Sequence, residues 1–180
     1  MAQITQDLVQ SSVVSSTGVT DFGNTVASDD SRASFDCSSG TNIIFELANL
    51  SQTPTSIISA QIRHESQAQA AATAVIQMEM LNGSNTQINT QFSSFSQTTD
   101  QLVNLTTHTT NDLTSAAFTE NDINTLRVKL TQLAGVGTGT ATCDHFFVRV
   151  KYNVADPVAG LIKLTSGKIK LTSGKIKIAI

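Results

Sequence analysis

Two stretches of strict alternation limit the fold more than anything else in this chain. Leu126, Val128 and Leu130 alternate with Arg127, Lys129 and Thr131, and Phe146, Val148, Val150 and Tyr152 alternate with Phe147, Arg149 and Lys151. Successive side chains of a strand point to opposite faces, so a period of two gives each stretch one face for a core and one for solvent. The same pattern recurs from Ile57 to Ser66, with Ile58, Ala60 and Ile62 set against Ser59, Gln61 and Arg63. It recurs again from Ala74 to Leu81, with Ala74, Ile76, Met78 and Met80 on one side.

Turn chemistry separates these runs. Asn82-Gly83-Ser84-Asn85 predicts a tight hairpin, because Asn-Gly accepts positive φ, and Thr86 to Phe92 is then the return strand. Ser38-Ser39-Gly40 reads as a turn between strands at Ser34 to Cys37 and Asn42 to Ala48, and Pro54 breaks the chain before Ile57. Leu102 to Thr107 supplies another strand, and in Phe118 to Asn124 either Thr119 or Asn121 can cap one helical turn. Short strands with a turn signal every ten residues or so predict an all-β fold, an antiparallel β-sandwich of jelly-roll-like order.

Around this body (33–156) lie two segments of different character. Residues 1–32 hold scattered aliphatics (Ile4, Leu8, Val9, Val13, Val14, Val19) among Ser and Thr and sustain no helical period, which predicts an extended N-terminal arm or a weak edge strand. Residues 157–180 carry five lysines and no acid, against six basic and fourteen acidic residues in 1–156. The chain is therefore an acidic body with a basic tail, an asymmetry that marks a partner-seeking segment. The tail lacks Arg and aromatic residues, so it can neither fork onto a phosphate nor stack on a base, and nucleic acid is a poor partner for it. The acidic body of a neighbouring copy matches it better.

Within that tail, Lys-Leu-Thr-Ser-Gly-Lys-Ile from Lys163 recurs at Lys170. Gly167 and Gly174 disfavour helix, so this is no coiled-coil heptad. As strands, Ile169 and Leu171, then Ile176, Ile178 and Ile180, share one face, while Lys168, Lys170, Lys175 and Lys177 share the other. Burying Ile162, Leu164 and these five aliphatics stabilises less than ordering the segment costs. The tail then stays unpacked, or it borrows a surface from its own body, a neighbour's sheet edge or copies of itself. Ile162, Leu164, Ile169, Leu171, Ile176, Ile178 and Ile180, with Lys168, Lys170 and Lys175 secondary, are the candidate subunit contacts.

Chemistry is harder to draw. Cys143-Asp144-His145 suggests a metal pair, but no second CxxC or HxxxH completes it, and His64 and His108 are far along the chain. Gly135, Gly137 and Gly139 imitate a phosphate loop yet precede a strand, so no helix N-terminus is there to hold an anion. No GxSxG elbow supports a Ser-His-Asp triad. Cys37 and Cys143 read as buried thiols, able to pair only if the fold brings their Cα atoms within about 7 Å. No catalytic, metal or cofactor residue is assigned. Ser, Thr, Asn and Gln total 69 of 180 residues, a neutral-polar surface able to hydrogen-bond sugar hydroxyls, although the aromatic platform that would help is scarce with no Trp and one Tyr. Carbohydrate binding is the second functional class.

Phe118-Thr-Glu-Asn-Asp-Ile-Asn through Gln132, with Asp144-His-Phe-Phe-Val-Arg-Val-Lys-Tyr-Asn-Val154, resembles the last two strands of β-sandwich proteins among bacteriophage virion components. The resemblance implies a structural role in capsid decoration or in a tail or fibre, often as a trimer, with homo-oligomeric and other virion partners. No leader pattern or apolar span is read in the chain, which suits assembly in a host cytoplasm into a virion without a membrane step.

Overall fold

The computed structural model describes residues 1–35, 41–68, 73–95, 99–136, 141–156, 168–172 and 175–179. Its strands are β1 (Ala2–Thr17), β2 (Val19–Thr20), β3 (Ala33–Phe35), β4 (Asn42–Leu47), β5 (Ser56–Ala68), β6 (Thr73–Leu81), β7 (Gln87–Phe95), β8 (Gln101–His108), β9 (Thr110–Asn111), β10 (Ala116–Ala117), β11 (Arg127–Val136), β12 (Ala141–Val154), β13 (Lys168–Thr172) and β14 (Lys175–Ala179). A 3-10 turn covers Phe22–Thr25 and one helix, α1, covers Glu120–Asn124. No helix among the described residues is long and apolar enough to cross a membrane.

Every pairing is antiparallel, and two layers result. In the first, β8, β5, β12 and the N-terminal half of β1 lie side by side, with β3 and then β2 continuing beside the start of β12. In the second, the C-terminal half of β1 is followed by β4, β11, β6 and β7. The order β1-β12-β5-β8 against β4-β11-β6-β7 is that of two Greek keys, the jelly roll expected from the strand spacing.

The segment expected as an arm is instead built into the body. Ala2–Val9 pairs with β12 and Gln10–Thr17 with β4, and register shifts at Gln10/Ser12 and Val13/Ser15 let one strand bend from layer to layer. Leu8, fully buried, shows that this strand contributes to the core. The weak-edge-strand alternative fits better, since each half of β1 pairs on one side only among the described residues.

Alternation places the core as predicted for β11 and β12: Leu126, Val128, Leu130, Phe146, Val148, Val150 and Tyr152 are buried. Phe45 of β4 sits at its centre, with ring centroids 4.6 Å from Phe22 and 5.3 Å, edge to face, from Phe146. The Tyr152 hydroxyl donates to Gln6 Oε1 at 2.9 Å, so its burial strands no polar group. In β5, Ile57, Ala60 and Ile62 are buried, whereas Ile58 was expected inward. A bulge opposite Lys151/Tyr152 adds a residue there and resets the alternation. Phe147 points outward as expected but is covered by Arg63 and Arg149, whose guanidinium carbons lie 5.4 and 5.5 Å from its ring centre. The Asn82–Asn85 turn forms, with the positive φ at Asn85 (61°) instead of Gly83, and Asn82 Oδ1 accepts the amides of Ser84 and Thr86.

Toward the β5/β7 side the interior is polar. His64 Nδ1 lies 2.8 Å from Ser66 Oγ and Nε2 lies 3.0 Å from Ser93 Oγ, linking β5 to β7 across the layers. Gln91 Oε1 accepts the amide of Thr106 at 2.7 Å, which satisfies one backbone donor of β8 where its register with β5 shifts. Ser38-Ser39-Gly40, Cys37, Gly137 and Gly139 lie outside the described residues, while Gly135 is in β11.

Two measurements probe this packing. Phe45→Ala should lower stability by about 3–5 kcal/mol, read as a fall in denaturation midpoint at unchanged m-value. Burial depresses the His64 imidazole from 6.5 to about 4, so between those values the unfolded chain holds the extra proton. Stability should therefore be flat in this contribution above pH 6.5 and fall by about 3 kcal/mol as pH drops toward 4. His64→Gln should remove that part of the slope; a variant titrating like the parent would exclude His64 as its source.

Candidate functional site

The polar turn that follows β10 ends in a capped helix whose geometry was legible in part. Thr119 Oγ1 accepts the amide of Asp122 at 3.2 Å, and Asp122 Oδ2 accepts the amide of Thr119 at 2.8 Å, a reciprocal capping box. This fixes Asn124 and Thr125 at the mouth of β11. Asn124 Oδ1 accepts the Leu50 amide at 3.0 Å, tying the helix to the segment after β4. The β6–β7 turn leans on the same place. A side chain at Gly83 would bring its Cβ to 3.2 Å from Thr125 Cβ, so glycine permits the close approach.

Between these elements opens a cleft of about 410 Å³, lined by Ser11, Glu46, Asn49, Gly83, Asn124 and Arg127 among others. Glu46 and Arg127 are direct cross-strand partners on the outer face of the second layer. Glu46 Oε1 accepts from Arg127 Nε at 3.2 Å and Nη2 at 2.6 Å, and Glu46 Oε2 accepts from Ser12 Oγ at 2.9 Å. Arg127 Nη1 donates to Asn85 Oδ1 at 3.0 Å, so the guanidinium plane is held from both sides. The hydrogen bonds from Arg127 and then Ser12 hold the Glu46 carboxyl below the usual carboxylate range. It stays an acceptor and is a poor proton donor.

Among the described residues lining the cleft, Glu46 is the sole carboxylate. Glycoside hydrolysis canonically uses two carboxyl groups roughly 5–10 Å apart, one of them with a raised pKa; the described lining residues supply one, held low by its partners. The cleft walls offer donors and acceptors in one small space: guanidinium, carboxylate, amide and hydroxyl groups. Sequence patterning marked Arg127 as an outward residue and passed over Glu46, because a cross-strand pair becomes visible only when register is known.

Other titratable groups are engaged elsewhere. Cys143 is buried, and burial pushes its thiol up to about 12, leaving it inert as a nucleophile at neutral pH. Asp144, beside it, joins Asp30 and Asp100 in a carboxylate cluster whose oxygens lie within 4.8 Å of one another. The guanidinium of Arg32 bonds both Asp30 and Asp100 and supplies the countercharge. These three acids come from separate segments, which is why the chain order gave no sign of them. His145 stacks beside Phe147 at 4.5 Å, and His64 is enclosed between the hydroxyls of Ser66 and Ser93.

Of the sequence-derived contact residues, Ile162, Leu164 and Ile180 lie outside the described residues. Lys168, Ile169, Lys170 and Leu171 fall in β13, and Lys175, Ile176 and Ile178 in β14. The register sets Ile169 opposite Ile178, Leu171 opposite Ile176 and Lys170 opposite Lys177.

No family model matches the sequence, and comparison with curated proteins gives no relative. Among solved structures, the chain is similar to a carbohydrate-binding module of family 36 in complex with calcium and xylotriose, at 14% identity and a TM-score of 0.41 over 83% of this chain and 99% of that one. It is similar to a truncated AlyQ with a family 32 module and alginate lyase domains, at 12% identity and 0.48 over 86% of this chain and 35% of that one. It is also similar to a family 4 carbohydrate-binding module, at 12% identity and 0.40 over 66% and 82%. At these scores the likenesses assign neither a ligand nor an activity to this chain. The strands themselves establish an all-β sandwich.

Proposed function

We propose that this chain is a non-catalytic β-sandwich that binds carbohydrate, with the Glu46–Arg127 cleft as its site. The observation that carries the reading is the convergence of Arg127, Glu46, Asn49, Asn124 and Ser11 on one cleft. Vicinal sugar hydroxyls each donate and accept, and a fixed guanidinium–carboxylate pair flanked by amides offers matching partners on both sides. The capping box and the Gly83 contact hold those groups in place before a ligand arrives, which limits the ordering cost of binding.

Saturable binding of the full chain on a glycan array tests the reading. Arg127→Ala should weaken that binding at least tenfold, because it removes the donors and also frees Glu46. Silence of the parent chain across the array would remove carbohydrate from consideration.

A second reading is favoured by a separate observation. The β13–β14 hairpin is hydrogen-bonded to none of the ten strands of the body among the described residues, and its register pairs aliphatic with aliphatic. This supports a virion structural role, in which the tail engages neighbouring copies or other virion proteins and the body faces outward. The two readings are compatible, since a particle can display a sugar-binding body. Deleting residues 161–180 should leave a folded body that no longer associates, measured by sedimentation. Unchanged assembly of the truncated chain would exclude the tail from it.

A further inference from the structure

We infer that the ligand is an uncharged, extended glycan chain that leaves the cleft along the outer face of the second layer and stacks on Phe92; this rests on the carbohydrate reading above. The register defines the path. Arg127 and Glu46 form the first row on this face, Lys129 the next, with its partner Glu79 largely covered, and Asn42, Thr131, Gln77 and Phe92 the third. Each step of two residues advances the row along β11, and Phe92 lies two strands across from Thr131. The distance from the cleft to Phe92 is then about 16 Å, from a rise of about 3.3 Å per residue and strands about 4.8 Å apart. That span exceeds a single sugar ring and suits a short oligosaccharide.

Phe92 is the end of this path for a physical reason. It is 60% exposed on β7, in a protein whose other aromatic rings with described surroundings are mainly buried. A pyranose presents an apolar face of C–H groups to such a ring and its hydroxyls to the side, where Gln77, directly across the strand pair from Phe92, stands. The aromatic platform that composition made scarce is thus present as one phenylalanine.

Charge selects the class of glycan. Both cations on these rows are already matched, Arg127 with Glu46 at 2.6 Å and Lys129 with Glu79 at 3.1 Å. The strip is electrically neutral among its described residues. A uronate or sulfate would have to displace Glu46 or Glu79 from its partner, so acidic chains are disfavoured and neutral ones accepted.

Calorimetric titration of the full chain with cello-, xylo- and manno-oligosaccharide ladders, from disaccharide to hexasaccharide, and with an oligogalacturonate ladder tests this. Affinity for at least one neutral ladder should rise about tenfold or more with length, Phe92→Ala should erase that gain, and Phe92→Tyr should keep it. Thermal melting of both variants checks that the fold is intact. An affinity independent of length, a gain that survives in Phe92→Ala, tighter binding of oligogalacturonate, or a Phe92→Ala variant altered in oligomeric state alone would each overturn the inference while leaving carbohydrate binding standing. Failure to bind any neutral ladder overturns it too. If the glycan array is also silent, the underlying reading falls with it.

Discussion

The two layers depend on a single strand that belongs to both. β1 hydrogen-bonds to β12 over its first half and to β4 over its second, so the sheets cannot slide without breaking one ladder or the other. The register it imposes sets Leu8 into the core and brings β4 beside β11, and that neighbour relation places Glu46 across from Arg127. The polar cleft is thus a downstream result of how the N-terminal strand crosses between layers. Its two register shifts supply the bend, since each extra residue lets the strand turn without abandoning its partners.

Between the sheets, the filling changes character from one side to the other. Around Phe45, Phe146 and Tyr152 it is aromatic and aliphatic; around His64, Ser66, Ser93 and Gln91 it is polar and hydrogen-bonded. An apolar core tolerates many packings of similar volume, whereas a buried imidazole between two hydroxyls accepts few. The polar side therefore fixes the relative placement of β5 and β7 more tightly than hydrophobic contact would.

How much of this could be read from the chain follows from what each feature needs. Alternation in β6, β11 and β12 is local, so strands and their buried faces were legible, as was the Thr119 cap, whose partner lies three residues on. Ile58 defeated the same reasoning because a bulge is set by the partner strand and not by the residues that bulge. Residues 1–32 read as an arm because Ser and Thr dilute the aliphatics, yet edge strands facing water on one side need few apolar residues. The Glu46–Arg127 pair and the Asp30, Asp100 and Asp144 cluster join segments far apart in sequence, and only register or tertiary packing reveals them.

The side chain of Gln91, reaching over to the Thr106 amide, has a reach beyond its own layer. The margin where β7 and β8 meet is where a sandwich of this order stays open, and an unguarded margin invites a stranger's backbone to dock and propagate fibres. With the Thr106 amide already held by Gln91, that stretch of β8 offers a foreign backbone one donor fewer.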